Sequence, residues 1–229
     1  MTVAAVILAA SVESALAGAA GVARIRRIAD AAWSGGALPI IVVAPDPAGA
    51  VAAALSGAPV TLASPAPAEG GPVAQIVRGM QIAAAEVHGT SGALIWPARL
   101  CWVGPETITS LVEAHGLDPG TMLRPTFHGE AGWPVLVPLD AMDALGGLPP
   151  TAMPDELIEL LVAGGAVVTR AIDLGDPGSV IDGRTAREML PPYEGPAESL
   201  GAPEWGAALA SLPDDAPLEG PARADASGD

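Results

Sequence analysis

The residues from Ser11 to Gly21 follow an apolar N-terminal run and lie where many α/β proteins bind phosphate. Nucleotide phosphates are held at such places by backbone N–H groups, by small residues that permit close approach, and by cationic side chains. The segment is rich in small residues and offers Ser11 and Glu13 as polar groups, but no lysine or arginine occurs before Arg24. It therefore has the position and size of a phosphate loop without the positive charge.

Several other residues could bind a ligand or a metal, and each also has a structural interpretation. Asp182 is a candidate metal ligand, although a helix N-cap is the commoner role of such an aspartate and the one we favour. Arg78 could contact phosphates, and a solvated helix arginine is about equally expected. Trp96 and Trp102 could stack on a planar ligand such as a base or a pterin, but core packing is the favoured interpretation.

The histidines and the cysteine indicate little chemistry. His115 and His128 stand alone in the sequence, and such histidines are more often surface residues than ligands. Cys101 is the only cysteine, which excludes an internal disulfide and any metal site built from several cysteines. We expect a packed or loop thiol at this position.

Composition limits the classes of partner. The chain has 229 residues, enough for one sizeable domain, and carries a formal net charge of −16. Nucleic acids and anionic membranes both require a positive face, so we expect neither as a partner. No apolar stretch is long enough for a membrane helix, and the N-terminal run lacks the basic residues of a secretory signal. These features predict a cytoplasmic protein.

Apolar patterns along the chain predict alternating strands and helices. Predicted strands cover residues 2–10, 38–44, 60–62, 92–96, 122–127, 134–138 and 167–174. Predicted helices cover residues 22–33, 46–55, 73–87, 105–115, 157–163 and 185–190. The strands at 122–127 and 134–138 are expected to pair, with Gly129 and Gly132 turning the chain between them. The alternation predicts an α/β fold, a Rossmann-like three-layer α/β/α arrangement with a mostly parallel sheet.

The domain is predicted to cover residues 1–194, and residues 195–229 form an acidic tail rich in proline, glycine and alanine. Such a composition predicts a largely disordered segment. Within it, Trp205, Leu209 and Leu212 have helical spacing, which predicts a short amphipathic helix near residues 203–212. A helix of this kind needs a surface to pack against, so the tail could contact a protein partner.

Four motifs occur in a characteristic order: Val6 to Ala10, then Glu69 to Gly71 followed by Arg78 and Gly79, then Val103 to Thr107 after the fourth strand, then Phe127 to Leu136. In this order they are similar to motifs of the MobA-like NTP transferases, a family that includes molybdenum cofactor cytidylyl- and guanylyltransferases. The last motif has the form aromatic-x-Gly-x-x-Gly-x-Pro-Val-Leu and is the most specific. The resemblance extends over roughly the first four-fifths of the chain by order and spacing.

This resemblance implies a sheet of the nucleotide-diphospho-sugar transferase type and a set of site residues. The positions that it assigns to nucleotide binding are Ala9, Ala10, Ser11, Gly71 and Arg78. The positions that it assigns to a substrate cleft are Phe127, Gly129, Gly132 and Trp133. Asp182 falls in a segment that resembles the family's DIDTP element, which makes it the candidate ligand for Mg²⁺, the expected cofactor of an active enzyme.

The chain also departs from the family pattern where charge is needed. The family's first loop resembles LAAGxSxRMGxxK, and here Ser11 replaces the glycine and Ala15 replaces the arginine, while Ala20 or Gly21 is nearest to the lysine. A D-x-P element after the fourth strand would supply a metal ligand, and here the chain has Trp96 in a segment without a carboxylate. Nucleotidyl transfer depends on such groups to offset phosphate charge, so their joint loss makes ordinary catalysis doubtful.

Two functions follow from these observations. The first is a nucleotidyltransferase-family protein of molybdenum cofactor (molybdopterin) metabolism that acts on or binds a nucleotide or a pterin-like molecule. The second is a catalytically inactive pseudoenzyme that binds a ligand or a protein and needs no cofactor. Convergence of Ser11, Arg78 and Asp182 on an open cleft would favour the first, and a cleft filled by tryptophan would favour the second.

Overall fold

A computed structural model describes residues 1–195, which form an eight-stranded mixed sheet between two layers of helices. The predicted helix at residues 203–212 lies outside these residues. The described part of the chain contains ten strands, which are in chain order β1 Thr2–Leu8, β2 Gly18–Ala19, β3 Val22–Ala23, β4 Ile40–Val43, β5 Thr61–Ala63, β6 Thr90–Pro97, β7 Thr121–Phe127, β8 Glu130–Ala131, β9 Val135–Pro138 and β10 Val168–Asp173.

The helices alternate with the strands along the chain. They are α1 Val12–Leu16, α2 Arg24–Ser34, α3 Ala50–Ala54, α4 Gly71–Glu86, α5 Pro105–Leu117, α6 Met142–Gly146 and α7 Pro154–Ala163. Short 3-10 helices cover Ala68–Gly70, Leu139–Ala141, Pro177–Ser179 and Arg187–Met189. No helix among the described residues is both long and apolar enough to cross a bilayer.

The sheet has the order β10-β7-β9-β6-β1-β4-β5, with β8 paired to β7. β9 runs antiparallel to both of its neighbours, β6 and β7. The other long strands all run in one direction: β10 is parallel to β7, and β6, β1, β4 and β5 are parallel to one another. The predicted three-layer α/β/α fold with a mostly parallel sheet is therefore confirmed. Since parallel strands end at one edge, the segments after β1, β4, β5 and β6 meet at the carboxyl edge, where α/β proteins bind ligands.

Alternating side chains of the central strands fill two apolar layers. One layer packs beneath α2, α3 and α5 and includes Ile7 of β1 and Trp96 of β6. The other layer packs beneath α4, α6 and α7 and includes Val6 and Ile95. Val6 directly precedes Ile7 in β1, and Ile95 directly precedes Trp96 in β6, so neighbouring residues face opposite layers. Burial of each large aliphatic side chain contributes about 1.5–3 kcal/mol, so these two layers hold the sheet between its helices.

The local differences from the predicted elements have identifiable causes. β1 ends at Leu8 rather than residue 10, because Ser11 begins the short helix α1 that the sequence pattern did not indicate. A small β2–β3 hairpin follows, with Ala20 and Gly21 at positive φ, and it delays the start of α2 to Arg24. Residues 142–146 form α6, also unpredicted, and the predicted last helix is only a 3-10 turn at Arg187–Met189.

Candidate functional site

The first loop is closed by its own hydrogen bonds. The Ser14 N–H donates to the Ser11 Oγ at 3.0 Å, and the Ser11 N–H donates to the Ser14 Oγ at 3.1 Å, which forms a capping box at the start of α1. The backbone N–H of Ala9 donates to the carbonyl of Val43, while Ala10 and Ser11 are exposed at the carboxyl edge. The proposed nucleotide-binding residues Ala9, Ala10 and Ser11 thus lie at the expected edge, but Ser11 is occupied with helix capping.

Two positions at which the family pattern has charged residues face the core. Ala15 and Trp96 are both completely buried. The indole N–H of Trp96 donates to the backbone carbonyl of Leu100 at 2.8 Å, so the side chain is fixed as well as buried. Trp96 is therefore a core residue, as we favoured from the sequence, and no carboxylate takes its place at the end of β6.

Backbone contacts bring three segments together at the carboxyl edge. The Ala98 N–H donates to the Leu8 carbonyl at 2.9 Å, which places the exit of β6 beside the exit of β1. The Gly183 N–H donates to the Arg99 carbonyl at 2.6 Å, which adds the segment that contains Asp182. The first loop, the β6 exit and residues 182–183 therefore surround one region.

Asp182 is held by arginines in this region. Its Oδ1 accepts from the Arg184 backbone N–H at 2.8 Å and from the Arg184 Nε at 3.2 Å, and it lies 3.9 Å from the Arg24 Nη2. Partial burial alone would raise the pKa of Asp182, but the hydrogen bonds and charge of Arg184, together with Arg24, lower it below the usual value. The helix N-cap role favoured from the sequence is wrong, because the following 3-10 helix begins at Arg187 with Ala186 as its N-cap.

The arrangement does not suit Mg²⁺, which takes several oxygen ligands. Within residues 1–195, no group of three or more His, Cys, Asp or Glu side chains could hold a metal ion. Asp182 has cationic neighbours on two sides, so the surroundings of its carboxylate already supply the positive charge that a metal ion would bring.

Gly71 and Arg78 lie on α4, in the helical layer opposite to α2. Gly71 has a positive φ of 58°, and a Cβ there would overlap the backbone carbonyl of Pro150, so this glycine is required by close packing. The exposed Arg78 donates through its Nε to the Ser64 carbonyl at 2.6 Å. No hydrogen bond or ion pair within the described part of the chain joins Arg78 to Ser11 or Asp182.

The four residues predicted for a substrate cleft have different environments. The β7–β8 turn is made by His128 and Gly129, both at positive φ, and the Phe127 and His128 rings stack at 4.1 Å. Gly132 follows β8 without a positive φ, and a Cβ there would lie 2.7 Å from the Ser179 Oγ. Phe127 and Trp133 are buried, whereas Gly129 is exposed, so the structure does not line these four residues along one opening.

A cluster that the sequence did not reveal lies beside Trp133. Its indole N–H donates to the Asp155 Oδ1 at 2.9 Å, and the Arg124 Nη2 donates to the same oxygen at 3.1 Å. The Arg99 Nη2 lies 3.7 Å from the Asp155 Oδ2. One carboxylate at the start of α7 thus holds two arginines and a tryptophan, and Arg99 places this cluster at the exit of β6.

The sequence could have provided one signal for this cluster, the arginine directly after β6. Arg99 follows a predicted strand, and residues at that position face the carboxyl edge of a parallel sheet. Asp155 gives no local signal, because its partner Arg124 is 31 residues away in the chain.

Comparison with known proteins agrees with the fold. The sequence profile of the MobA-like NTP transferase domain matches residues 13–163, more than half of the chain. The chain belongs to this family. No protein with a curated description matches the sequence.

Solved structures resemble this MobA-like domain at low sequence identity. A nucleotidyl transferase from Methanothermobacter thermautotroptrophicus has a TM-score of 0.61 and 21% identity, over 75% of this chain and 87% of that chain. A Mycobacterium tuberculosis H37Rv protein in complex with manganese has a TM-score of 0.57 and 20% identity, over 76% and 89%. The 2-C-methyl-D-erythritol 4-phosphate cytidylyltransferase from Thermus thermophilus has a TM-score of 0.58 and 14% identity, over 78% and 91%. These likenesses confirm the nucleotide-diphospho-sugar transferase type of fold.

Proposed function

We propose that this MobA-like domain is a pseudoenzyme that binds a nucleotide or a related phosphorylated molecule at the carboxyl edge without metal-dependent transfer. The observation that carries the proposal is the burial of Trp96. Its side chain is completely buried and hydrogen-bonded at the position where the family resemblance expects a metal-binding aspartate. If the Trp96 side chain turned out of the core towards the carboxyl edge, it would leave a large cavity behind.

The loss of the cationic first loop supports the same proposal. Ala15 is completely buried where the resemblance expects an arginine, and the chain contains no lysine. Removing one group that stabilises transition-state charge costs about 10²–10³ in rate, and here the metal ligand and both cations are missing together. The remaining candidate ligand, Asp182, is paired with Arg24 and Arg184.

Binding without transfer is supported by Arg99 and Arg124. Arg99 lies at the edge where the exits of β1 and β6 meet, and Asp155 joins it to Arg124. Within residues 1–195, Asp155 is the only carboxylate partner of either arginine. Arg99 is exposed, and water screens its ion pair with Asp155, in which Nη2 and Oδ2 are 3.7 Å apart. Its guanidinium could therefore leave Asp155 and form a charge-assisted hydrogen bond with a phosphate. A nucleotide or a pterin-like phosphate ester would fit this chemistry.

The second candidate is an active nucleotidyltransferase of molybdenum cofactor metabolism that uses Mg²⁺. The MobA-like family match favours it, and a neighbour of the same fold was solved with manganese. For this function the chain would have to bind a divalent cation through groups other than the first loop and the β6 exit.

Calorimetric titration of CTP, GTP and ATP separates the two candidates. Each nucleotide is titrated with Mg²⁺ and again with EDTA, and binding of Mn²⁺ alone is followed by electron paramagnetic resonance. The pseudoenzyme predicts affinities that Mg²⁺ does not increase and no tight Mn²⁺ site. Low-micromolar binding that requires Mg²⁺ would support the active enzyme instead.

Variants locate the site. Arg99→Gln should weaken nucleotide binding by about fivefold or more, because one charge-assisted contact is lost. Arg170→Gln is the matched control, since Arg170 is an exposed arginine on β10. If no nucleotide binds even at millimolar concentration, or if both variants behave alike, the proposed ligand site is wrong.

A further inference from the structure

A cavity of about 320 Å³ lies on the side of the sheet that α2 and α5 cover. Its walls come from α2, from residues 101–105 after β6, and from Arg187 in the last 3-10 helix. None of Arg99, Arg124 or Asp155 lines it, so it is separate from the cluster at the carboxyl edge. Small-molecule sites occupy about 300–1,000 Å³, which makes this cavity large enough for one or two fused rings.

The charges around the cavity favour an anion, although the whole chain is strongly acidic. Arg27 and Arg187 are the cationic residues of the wall, and Asp30 is the acidic one. Both oxygens of Asp30 accept from the Arg26 Nε, at 2.8 and 3.0 Å, so its charge is already compensated from outside the cavity. Among the described residues, neither Arg27 nor Arg187 forms an ion pair.

The cavity also has a fixed aromatic wall. The Arg27 guanidinium carbon lies 5.1 Å from the centroid of the Trp102 ring, a cation–π distance. The indole N–H of Trp102 donates to the Thr185 carbonyl at 3.0 Å, which fixes the ring on its other side. The Arg27 Nη2 donates to the Ala19 carbonyl at 3.3 Å, and no residue from 1 to 195 accepts from its buried Nε. A flat ring and a guanidinium are thus held together before any ligand arrives.

We propose that this cavity is a second binding site, which takes a planar aromatic molecule with one negative charge. The ring of the ligand packs on the Trp102–Arg27 wall and on the apolar side chains of Val22, Ala31 and Val103. Its carboxylate or other anionic group accepts from Arg27 and Arg187. The site goes beyond the proposed nucleotide function and does not depend on it.

The ligand binds here without covalent chemistry. Cys101 lines the cavity and is buried, and burial raises the pKa of its thiol despite the nearby charges of Arg24 and Arg27. A neutral thiol is a poor nucleophile.

Three probes test the two halves of this recognition in the full-length protein. Quinoline-2-carboxylate has both the ring and the charge, quinoline-2-carboxamide has the ring without the charge, and acetate has the charge without the ring. Calorimetry should show one site for quinoline-2-carboxylate and binding at least about tenfold weaker for the other two, since a lost charge-assisted contact is worth about this factor.

Variants assign the binding to the cavity. Arg187→Gln changes an exposed side chain and Arg27→Gln a half-buried one, and each should weaken quinoline-2-carboxylate binding by about fivefold or more. Trp102→Leu should weaken it by removing the aromatic wall. Arg170→Gln and Arg99→Gln should leave it unchanged, and Arg187→Gln should leave nucleotide binding unchanged.

Specific outcomes would overturn the proposal. These are equal binding of the carboxylate and the carboxamide, or binding that Arg187→Gln does not alter. Absence of any quinoline-2-carboxylate binding would overturn it as well. Since Arg99→Gln and Arg187→Gln act on different ligands, failure of this site and failure of the nucleotide site give different results.

Discussion

Trp133 and Asp155 are joined by a hydrogen bond of 2.9 Å from the indole N–H to Oδ1. The same oxygen accepts from Arg124, and the other oxygen of Asp155 lies 3.7 Å from Arg99. A buried tryptophan therefore fixes the acid that balances two arginines at the carboxyl edge. The net charge that a ligand meets there depends on this one carboxylate.

Asp155→Asn should increase nucleotide affinity. The change keeps an oxygen that can accept from Trp133 but removes the negative charge that competes with a phosphate for Arg99 and Arg124. We expect a gain of about three- to tenfold in calorimetric titration, the size typical of one partly screened charge. Glu159→Gln, at another exposed acid of α7, is the control and should have little effect. Unchanged or weaker binding by Asp155→Asn would contradict the ligand site.

Trp96→Asp should destabilise the domain and create no metal site. The substitution puts a carboxylate into a completely buried position and removes a large side chain, at a cost of about 3–5 kcal/mol or more in the free energy of unfolding. Trp96→Phe keeps most of the apolar volume and should cost clearly less. Urea denaturation measures both, and Mn²⁺ resonance tests for metal. A stable Trp96→Asp variant that binds Mn²⁺ would show that the edge retains a metal-binding geometry.

The sequence predicted the layers of this fold because buried parallel strands are continuous apolar runs such as Ile40–Val43. It did not predict α1, since a helix this short depends on the cap formed by Ser11 and Ser14 more than on any apolar periodicity. The Asp155 cluster could not be predicted either, because its members come from separate elements that meet only in the folded sheet. The family resemblance could place Ala9, Ala10 and Ser11 after the first strand, but it could not show that Ser11 caps α1, because that role depends on local packing and hydrogen bonds.

Asp176→Ala should lower the free energy of unfolding by about 2–4 kcal/mol, because three donors lose a buried acceptor. The Asp176 carboxylate accepts from the Gly104 N–H at 3.0 Å, the Thr107 hydroxyl at 2.7 Å and the Gly178 N–H at 2.8 Å. It thereby ties the segment after β10 to the start of α5. Asp176→Asn keeps one acceptor and should lose less.

Urea denaturation compares the two Asp176 variants. Burial raises the pKa of the Asp176 carboxyl and outweighs the hydrogen bonds that lower it, so burying the charged form costs free energy. Asparagine has no charge and therefore does not carry this cost. Equal destabilisation by alanine and asparagine would show that the charge, not the acceptor geometry, is what the site requires.

Stability should fall as the pH decreases below about 6.5, in part because of His115. This side chain is completely buried, its Nε2 lies 2.9 Å from the Ser91 Oγ, and burial lowers its pKa despite the charges of Asp118 and Asp140. The unfolded chain therefore binds a proton on this histidine at a pH where the folded chain does not. The stabilisation is fully present above the pKa that His115 has in the unfolded chain. It is lost as the pH falls from that value towards the lower pKa that His115 has in the folded protein.

His115→Gln should make this pH dependence shallower, because glutamine can still bond to Ser91 but cannot be protonated. The measurement is urea denaturation at several pH values between about 5 and about 7.5, the range in which histidine titrates. His88→Gln, at an exposed histidine that forms no ion pair among residues 1–195, is the control variant. Identical slopes for His115→Gln and the wild type would rule out the buried imidazole as a source of the acid sensitivity.

The reciprocal serine bonds at the start of α1 have a consequence for the thermodynamics of recognition. A flexible phosphate-binding loop loses conformational entropy when its ligand arrives, at about 1–2 kcal/mol for each residue that becomes fixed. In this chain Ser11 and Ser14 order that segment during folding, before any ligand is present. The ligand proposed at the carboxyl edge would therefore meet a segment that folding has already ordered, and its binding would not carry the entropy cost of closing that segment.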